Sequence, residues 1–321
     1  MSRDGISPGG PYGPVCSVML MDIGLITQLH GRPGGTLNPS WNSVLALAKA
    51  AEDVGFDMFV FEDALMYRGE DHTDGCWESG AIAGALAAST RRIRFGQSVL
   101  NSPYRSPTVT ASNATALDEI SGGRYVLGIG AGNTNDYVEF GFADDRRFSR
   151  FAEAIHIIHG LLKEGRIQFS GDFYTAGDAE LVLRGPSPEG PPINIAAGSP
   201  KMMRLVARYA DAWNWWGWDE SLDQIKKRLT PIAEELEQAC DEVGRDPSEI
   251  VRTFDLYSVV PPGFDPGSEM KQPVAGDAGK IADYILLLGD LGFTEVRCDL
   301  TDKSSAAVAA MAEVVDLVHQ G

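Results

Sequence analysis

The chain has 321 residues, of which 44% are hydrophobic and 22% are charged, so it is long enough to bury one large core or two ordinary ones. Its 45 acidic residues outnumber its 27 basic ones and give a formal charge of −18, which argues against nucleic acid or an anionic membrane surface as a partner. The four cysteines form no disulfide framework and no zinc motif, which favours a reducing cytoplasm. No apolar run reaches transmembrane length, and residues 1–14, rich in Gly, Pro and Ser, are expected to form a flexible N-terminal segment.

From residue 15 onward, strand-like and helix-like patterns alternate. The predicted strands are 15–26, 58–61, 93–99, 125–129, 193–196, 212–215, 250–260 and 295–299. The predicted helices are 39–54, 77–89, 108–120, 147–163, 201–209, 222–243, 278–291 and 305–319. This α/β alternation favours a single (β/α)₈ TIM barrel over 15–321, with an insertion at about 165–192 after the fourth helix. A doubly wound parallel sheet is the structural alternative.

The segment 92–141 indicates where a ligand binds. Its second strand runs into a turn that contains Gly130 and Gly132, and Asn133 follows. In parallel barrels and sheets, ligands lie beyond the carboxyl ends of the strands. A glycine-lined mouth with a polar, uncharged rim therefore predicts a site for a large hydrogen-bonding cofactor.

The turn before the fifth helix is a candidate phosphate site. Gly198 and Ser199 precede Pro200, and together they offer backbone N–H groups, a hydroxyl and the positive end of a helix dipole. Lys201 adds a positive charge. An ordinary helix cap is the alternative interpretation.

Aromatic side chains after the sixth strand predict an apolar substrate wall. Trp213, Trp215, Trp216 and Trp218 follow one another too closely to point inward together from a strand of period two. Trp215 and Trp216, with Tyr67 and Tyr137 from other strand ends, are therefore the predicted substrate contacts.

Asp63 and His72, which follow the second strand, are the candidate proton-transfer residues. A structural or solvated role is the alternative for each of them. His156 and His159 lie with Glu153 on a barrel helix rather than at a strand end, so no metal site is predicted.

Three segments are distinctive in their order along the chain. They read AKAAEDVGFD at 48–57, LDEISGGRYVLGIGAGN at 117–133 and PPINIAAGSPKMMRLVARYADAWN at 191–214. In these segments the chain resembles the luciferase-like flavin-dependent oxidoreductases, a family that includes bacterial luciferase, alkanesulfonate monooxygenase and reductases that use the deazaflavin coenzyme F420.

The resemblance implies a barrel that holds a flavin-type ring in its mouth. It further implies a non-proline cis peptide at Ser98–Val99 behind the ring, phosphate contacts from Gly198 and Ser199, and a cofactor contact from Asn133. The chain also departs from some relatives. Ala64 stands where several of them carry histidine, and Asn133 stands where the sugar-phosphate dehydrogenase branch has a glutamate proton donor.

The leading hypothesis is a monooxygenase that uses O₂ and reduced FMN, supplied by a separate flavin reductase, on a small organic substrate. The close alternative is hydride transfer with coenzyme F420, because the sequence Ser98-Val99-Leu100 resembles that of the F420-dependent branch of the family. A metal-dependent barrel enzyme and a catalytically silent flavin-binding protein are two further alternatives. The resemblance also implies a homodimer.

Overall fold

The computed structural model describes residues 21–35, 37–133, 137–218, 221–266 and 272–321. The predicted flexible segment 1–14 and the first part of the predicted first strand lie outside these ranges. Within them, no helix combines the length and the apolar character needed to cross a membrane.

Eight parallel strands close into a barrel. They are β1 (Asp22–Thr27), β2 (Met58–Phe61), β3 (Arg94–Gln97), β4 (Tyr125–Gly130), β5 (Ile193–Ala196), β6 (Ala212–Gly217), β7 (Val251–Val259) and β8 (Glu295–Leu300). Each strand pairs with the next, and β8 returns to β1. The pairing of β4 with β5 closes the edge that a doubly wound sheet would leave open, so the barrel prediction is confirmed.

A main helix follows each strand. These helices are α1 (Trp41–Val54), α2 (Ser79–Ser89), α3 (Pro107–Ser121), α4 (Arg147–His159), α5 (Pro200–Tyr209), α6 (Leu222–Val243), α7 (Ala278–Gly289) and α8 (Ala312–Gln320). A π-helical turn, Gly160–Glu164, extends α4, and short helices lie at Ser102–Tyr104, Tyr137–Phe140, Pro247–Glu249 and Ser305–Ala310. The predicted last helix is thus interrupted at Met311.

An antiparallel hairpin lies within the predicted insertion. Its strands are Arg166–Ser170 and Thr175–Glu180. The Glu153 carboxylate on α4 accepts hydrogen bonds from the backbone N–H groups of Asp172, Phe173 and Tyr174 at 2.8–3.0 Å. This carboxylate therefore fixes the hairpin turn to the barrel.

A second small sheet was not predicted. His30–Gly31, Met66–Arg68 and Thr73–Cys76 form a three-stranded antiparallel sheet, here called the mouth sheet. Its strands follow the carboxyl ends of β1 and β2, in segments where neither a strand nor a helix was predicted. They are two to four residues long, too short to show a period.

Glycine inside β4 allows β3 and β4 to approach closely below the cavity. A Cβ atom added at Gly128 would lie 1.9 Å from the carbonyl oxygen of Gln97, which is a backbone atom that cannot rotate away. The barrel therefore requires glycine at this position.

Replacing Gly128 with Ala should lower the free energy of unfolding by more than about 2 kcal/mol, because overpacking forces the two strands apart. Urea titration would measure the change. Gly279→Ala on α7, where a Cβ meets no atom closer than 3.7 Å, should be neutral or stabilising by up to about 1 kcal/mol. Equal stability of the two variants would contradict this account.

Candidate active site

A cavity of about 500 Å³ lies at the carboxyl ends of the strands. Its walls come from six consecutive strand ends, and its lining includes Glu62, Asp63, Tyr67, Ser98, Val99, Asn101, Gly130, Gly132, Asn133, Gly198, Met202, Asn214, Trp216, Trp218, Asp255 and Tyr257. The structure thus brings together nine of the thirteen predicted site residues. The other four, His72, Tyr137, Ser199 and Trp215, do not line this cavity.

The wall formed by β3 and β4 contains the predicted cis peptide. The Ser98–Val99 bond is cis, and the Ser98 N–H donates to the carbonyl oxygen of Phe61 at 2.8 Å. A Cβ at Gly130 would lie 2.8 Å from Val99 Cγ2. Glycine at this position therefore lets Val99 lie against the end of β4.

Tyr137 lies behind this wall and not in it. Its side chain is fully buried, and its hydroxyl donates a hydrogen bond to the Asn101 side chain. A Cβ at Gly132, where φ is +85°, would overlap both of these side chains. Tyr137 therefore supports the glycine turn from behind, and it does not line the cavity where it was predicted to contact the substrate.

Asp63 is a buried carboxylate whose oxygens are both hydrogen-bonded. Arg105 binds it in a bidentate pair at 2.7 and 3.0 Å. The Ser79 hydroxyl and the Asn101 N–H add bonds of 2.7 Å each. These contacts join β2 to the start of α2 and to the end of β3, and they favour the structural interpretation over proton transfer.

His72 lies in the turn of the mouth sheet. Its side chain is 44% exposed, and its Nε2 lies 3.6 Å from Asp74 Oδ2. The structure therefore does not bring this predicted proton-transfer residue to the cavity.

Glu62 joins the mouth sheet to the barrel, a role the sequence did not reveal. Its Oε1 accepts hydrogen bonds from the N–H groups of Leu29 and His30 and lies 2.7 Å from His30 Nδ1. Its Oε2 accepts the Tyr67 hydroxyl at 2.7 Å. Burial opposes ionisation, but these bonds hold the pKa of Glu62 below its ordinary value, while the bond to Glu62 raises the pKa of His30.

The tryptophans divide between core and cavity. Trp213 is buried and donates to the carbonyl oxygen of Ala197 at 2.9 Å. Trp215 packs behind Gly198, where a Cβ would lie 2.9 Å from its ring. Trp216 lines the cavity, and Trp218 also lines it, stacked on Tyr257 with ring centres 3.9 Å apart.

The start of α5 has the features expected of a phosphate site. Gly198 lines the cavity. Ser199 is the exposed N-cap residue, its hydroxyl makes no capping hydrogen bond, and Pro200 follows it. The N–H groups of Met202 and Met203 already donate to the Ser199 carbonyl oxygen, so the Ser199 hydroxyl and the helix dipole are the features that favour an anion here.

Asp255 was missed by sequence reasoning because it lies inside a strand rather than after one. It is 3% exposed and lines the cavity. Its Oδ2 accepts the Ser98 hydroxyl at 2.7 Å. Burial raises the pKa of this carboxyl, and the nearby Arg297 opposes the rise.

A second cavity of about 630 Å³ lies outside the barrel, beside His156 and His159. His156 Nδ1 lies 3.3 Å from the Tyr209 hydroxyl, and Glu153 is occupied by the hairpin. Among the described residues, no group of three or more His, Cys, Asp or Glu side chains is arranged to hold a metal ion.

If Asp63 is structural, Asp63→Asn should lower the free energy of unfolding by roughly 3 kcal/mol, since it breaks a buried pair. Asp178→Asn, which breaks an exposed pair with Arg166, is the control and should leave stability unchanged. Thermal unfolding would measure both. Unchanged stability of Asp63→Asn together with lost activity would instead support a proton-transfer role.

Known proteins similar to this chain include a monooxygenase and a dehydrogenase that depends on F420. The chain is 38% identical over 165 residues to 4-hydroxyprotoasukamycin monooxygenase of Streptomyces nodosus. The aligned region covers 49% of this chain and 43% of that protein. It is 32% identical over 215 residues to the F420-dependent glucose-6-phosphate dehydrogenase of Kineococcus radiotolerans, covering 65% of this chain and 61% of the relative. Several such matches span only about half of the relative's length.

A solved structure shares the fold. It is the oxygenating constituent of 3,6-diketocamphane monooxygenase from a Pseudomonas putida plasmid, in complex with FMN, with a TM-score of 0.69 at 19% identity over 94% of this chain and 97% of the other. The family model for luciferase-like monooxygenases matches residues 21–261. The chain therefore belongs to the luciferase-like family of flavin- or F420-dependent oxidoreductases and monooxygenases.

Proposed function

We propose that the protein is a monooxygenase that holds reduced FMN in the cavity and uses O₂ to oxidise a small organic substrate. In this proposal Ser98 and Val99 support the ring, Gly130, Gly132 and Asn133 flank it, and the start of α5 holds the phosphate. The bound cofactor would supply the electrons for oxygen activation.

The cavity residues fit a flavin-type ring. The Asp255 Oδ1 atom is buried and makes no hydrogen bond within the described part of the chain, and Arg297 Nη1 lies 3.6 Å from it. A buried polar atom of this kind calls for a partner, and a molecule bound in the cavity would provide one. Val99 and Trp216 add apolar surface against which a planar ring can pack.

The charge of the protein favours FMN. FMN ends in one phosphate, whereas coenzyme F420 carries a longer tail with a phosphodiester and glutamate carboxylates. A chain of formal charge −18 repels additional anionic groups. The start of α5, with Lys201 beside it, suits a single phosphate. The choice of FMN rests on this match between the start of α5 and one phosphate group.

The protein's own contribution would be to exclude water and to orient the substrate. Tyr67, Trp216, Trp218 and Tyr257 give the cavity aromatic walls, which suit an apolar or aromatic substrate. A dry cavity protects reactive species from side reactions with water. A separate flavin reductase is the proposed source of reduced FMN.

Hydride transfer with coenzyme F420 is the second candidate. It is favoured by the relative from Kineococcus radiotolerans, whose name states F420 dependence, and by the Ser98-Val99-Leu100 sequence. The same cavity would serve, without oxygen.

Anaerobic titration of the protein with reduced FMN and with reduced F420 would decide between the cofactors. We expect tighter binding of reduced FMN, followed by substrate-dependent oxygen uptake across a panel of small aromatic and apolar compounds. Tight F420 binding with no oxygen uptake would contradict the choice of FMN. Binding of FMN without turnover of any compound would support a catalytically silent protein.

A homodimer is also proposed, through the outer faces of α2 and α3. Helix α2 contains no charged residue, and a helix that is apolar on all sides is usually buried. Beside it, Trp77, Val109 and Ile120 are each more than half exposed. A second copy of the chain would cover this surface.

Val109→Glu should therefore produce monomers in analytical ultracentrifugation, because it buries a charge in the interface. Val182→Glu is the matched control, because Val182 is 79% exposed elsewhere on the surface. A monomeric wild-type protein would contradict the proposed dimer.

A further inference from the structure

A line of alternating charges crosses the barrel interior and ends at the cavity. Asp22, Arg94 and Glu295 lie at the amino ends of β1, β3 and β8, where Arg94 Nη2 is 2.6 Å from Asp22 Oδ2 and 3.0 Å from Glu295 Oε2. Arg297 Nε is 2.5 Å from Glu295 Oε1, and its Nη1 is 3.6 Å from Asp255 Oδ1. We call these five residues the charge column.

The charge column holds more carboxyl groups than guanidinium groups. Among the described residues, Arg94 and Arg297 are the cations in ion pairs with Asp22, Glu295 and Asp255. Asp57 and His319, which pair with each other, also lie near Asp22. If all five groups were ionised, the three carboxylates would outnumber the two guanidinium groups by one, and the column would carry a net negative charge. Burying an uncompensated charge is costly, and a carboxyl group avoids that cost by taking up a proton.

Glu295 is the best paired of the three carboxyls. It contacts both guanidinium groups, and although burial opposes ionisation, Arg297 and Arg94 hold its pKa below the ordinary value. A proton on the column is therefore expected at one of its two ends, of which Asp255 is buried and Asp22 is reached by water. Asp22 is 41% exposed at the amino end, and its pKa is raised to about 6, chiefly by burial.

Asp255 occupies the other end and has the weaker pairing. Arg297 approaches it at 3.6 Å but approaches Glu295 at 2.5 Å. The Ser98 hydroxyl donates to Oδ2, whereas Oδ1 has no hydrogen-bond partner among the described residues. The Asn214 amide also hydrogen-bonds this carboxyl and favours its ionised form, but neither Asn214 nor the nearby Tyr257 brings a positive charge.

We propose that Asp255 is the proton donor of the cavity, which holds a proton on Oδ1 and transfers it to an oxygen or nitrogen atom of the bound substrate. The Asp255 O–H bond breaks as a new O–H or N–H bond forms on the acceptor. The resulting carboxylate is stabilised by the Ser98 hydroxyl and by Arg297, and a proton from solvent restores the acid. The role in turnover rests on the proposed oxidoreductase function.

The titration of Asp255 can be measured in the protein alone, by NMR of ¹³C-labelled aspartate carboxyls. The signal that is lost in Asp255→Asn identifies the residue. We expect it to titrate well above about 3.9, the ordinary value for aspartate. A value in the ordinary range would overturn the proposal.

Two variants shift this titration in opposite directions. Glu295→Gln removes a nearby negative charge and a competitor for Arg297, so the Asp255 midpoint should fall by on the order of one pH unit. Ser98→Ala removes the hydroxyl that stabilises the carboxylate, so the midpoint should rise. Far-ultraviolet circular dichroism would establish whether each variant is folded. If one variant is unfolded, the other still tests the direction in which the Asp255 midpoint shifts.

Turnover provides a readout that a merely structural role would not move. Because the protonated form is the active one, kcat/KM should decrease as the pH rises through the Asp255 midpoint. Asp255→Asn should abolish this limb and lower kcat at its plateau, while Glu295→Gln should move the limb to lower pH. A limb that persists unchanged in Asp255→Asn would overturn the proposal. A complete lack of redox turnover in the wild-type protein would overturn the proposed function, yet it would leave the NMR result intact.

Discussion

Closure of the barrel is the constraint on which the site depends. Residues 62, 98, 198, 216 and 255 are far apart in the chain, and they line one cavity because β4 pairs with β5 and β8 pairs with β1. Closure also forces charged side chains into the interior, where Arg297 and Glu295 are each 1% exposed. The same geometry therefore creates both the cavity and the charge column beneath it.

Much of the fold followed from local patterns. The barrel strands are short apolar runs separated by amphipathic helices, and most of their predicted bounds differ from the structure by only a few residues at either end. The glycine turn at 130–132 and the α5 start at 198–199 were recognisable because their backbone chemistry is visible in the residue types themselves. The mouth sheet was not recognisable in the sequence, because its strands are too short to show a period.

Side-chain roles were predicted less well, since they depend on partners distant in sequence. Asp63 has the residue type of a proton-transfer group, but it is paired with Arg105. Tyr137 has the residue type of a substrate contact, but its hydroxyl binds the side chain of Asn101. Asp255 gave no signal, because an acidic residue within a strand carries no motif. Its importance arises from contacts with Ser98, which directly follows β3, and with Arg297 on β8, and the closed barrel brings these residues together.

The proposed flavin site is the cavity at the strand ends, with the ring against the Ser98–Val99 peptide. A crystal structure of the protein soaked with FMN would locate the cofactor. We expect ring density between Val99 and Trp216, with the phosphate at Gly198 and Ser199. Density for the ring outside this cavity, or a phosphate bound away from the start of α5, would contradict this proposal.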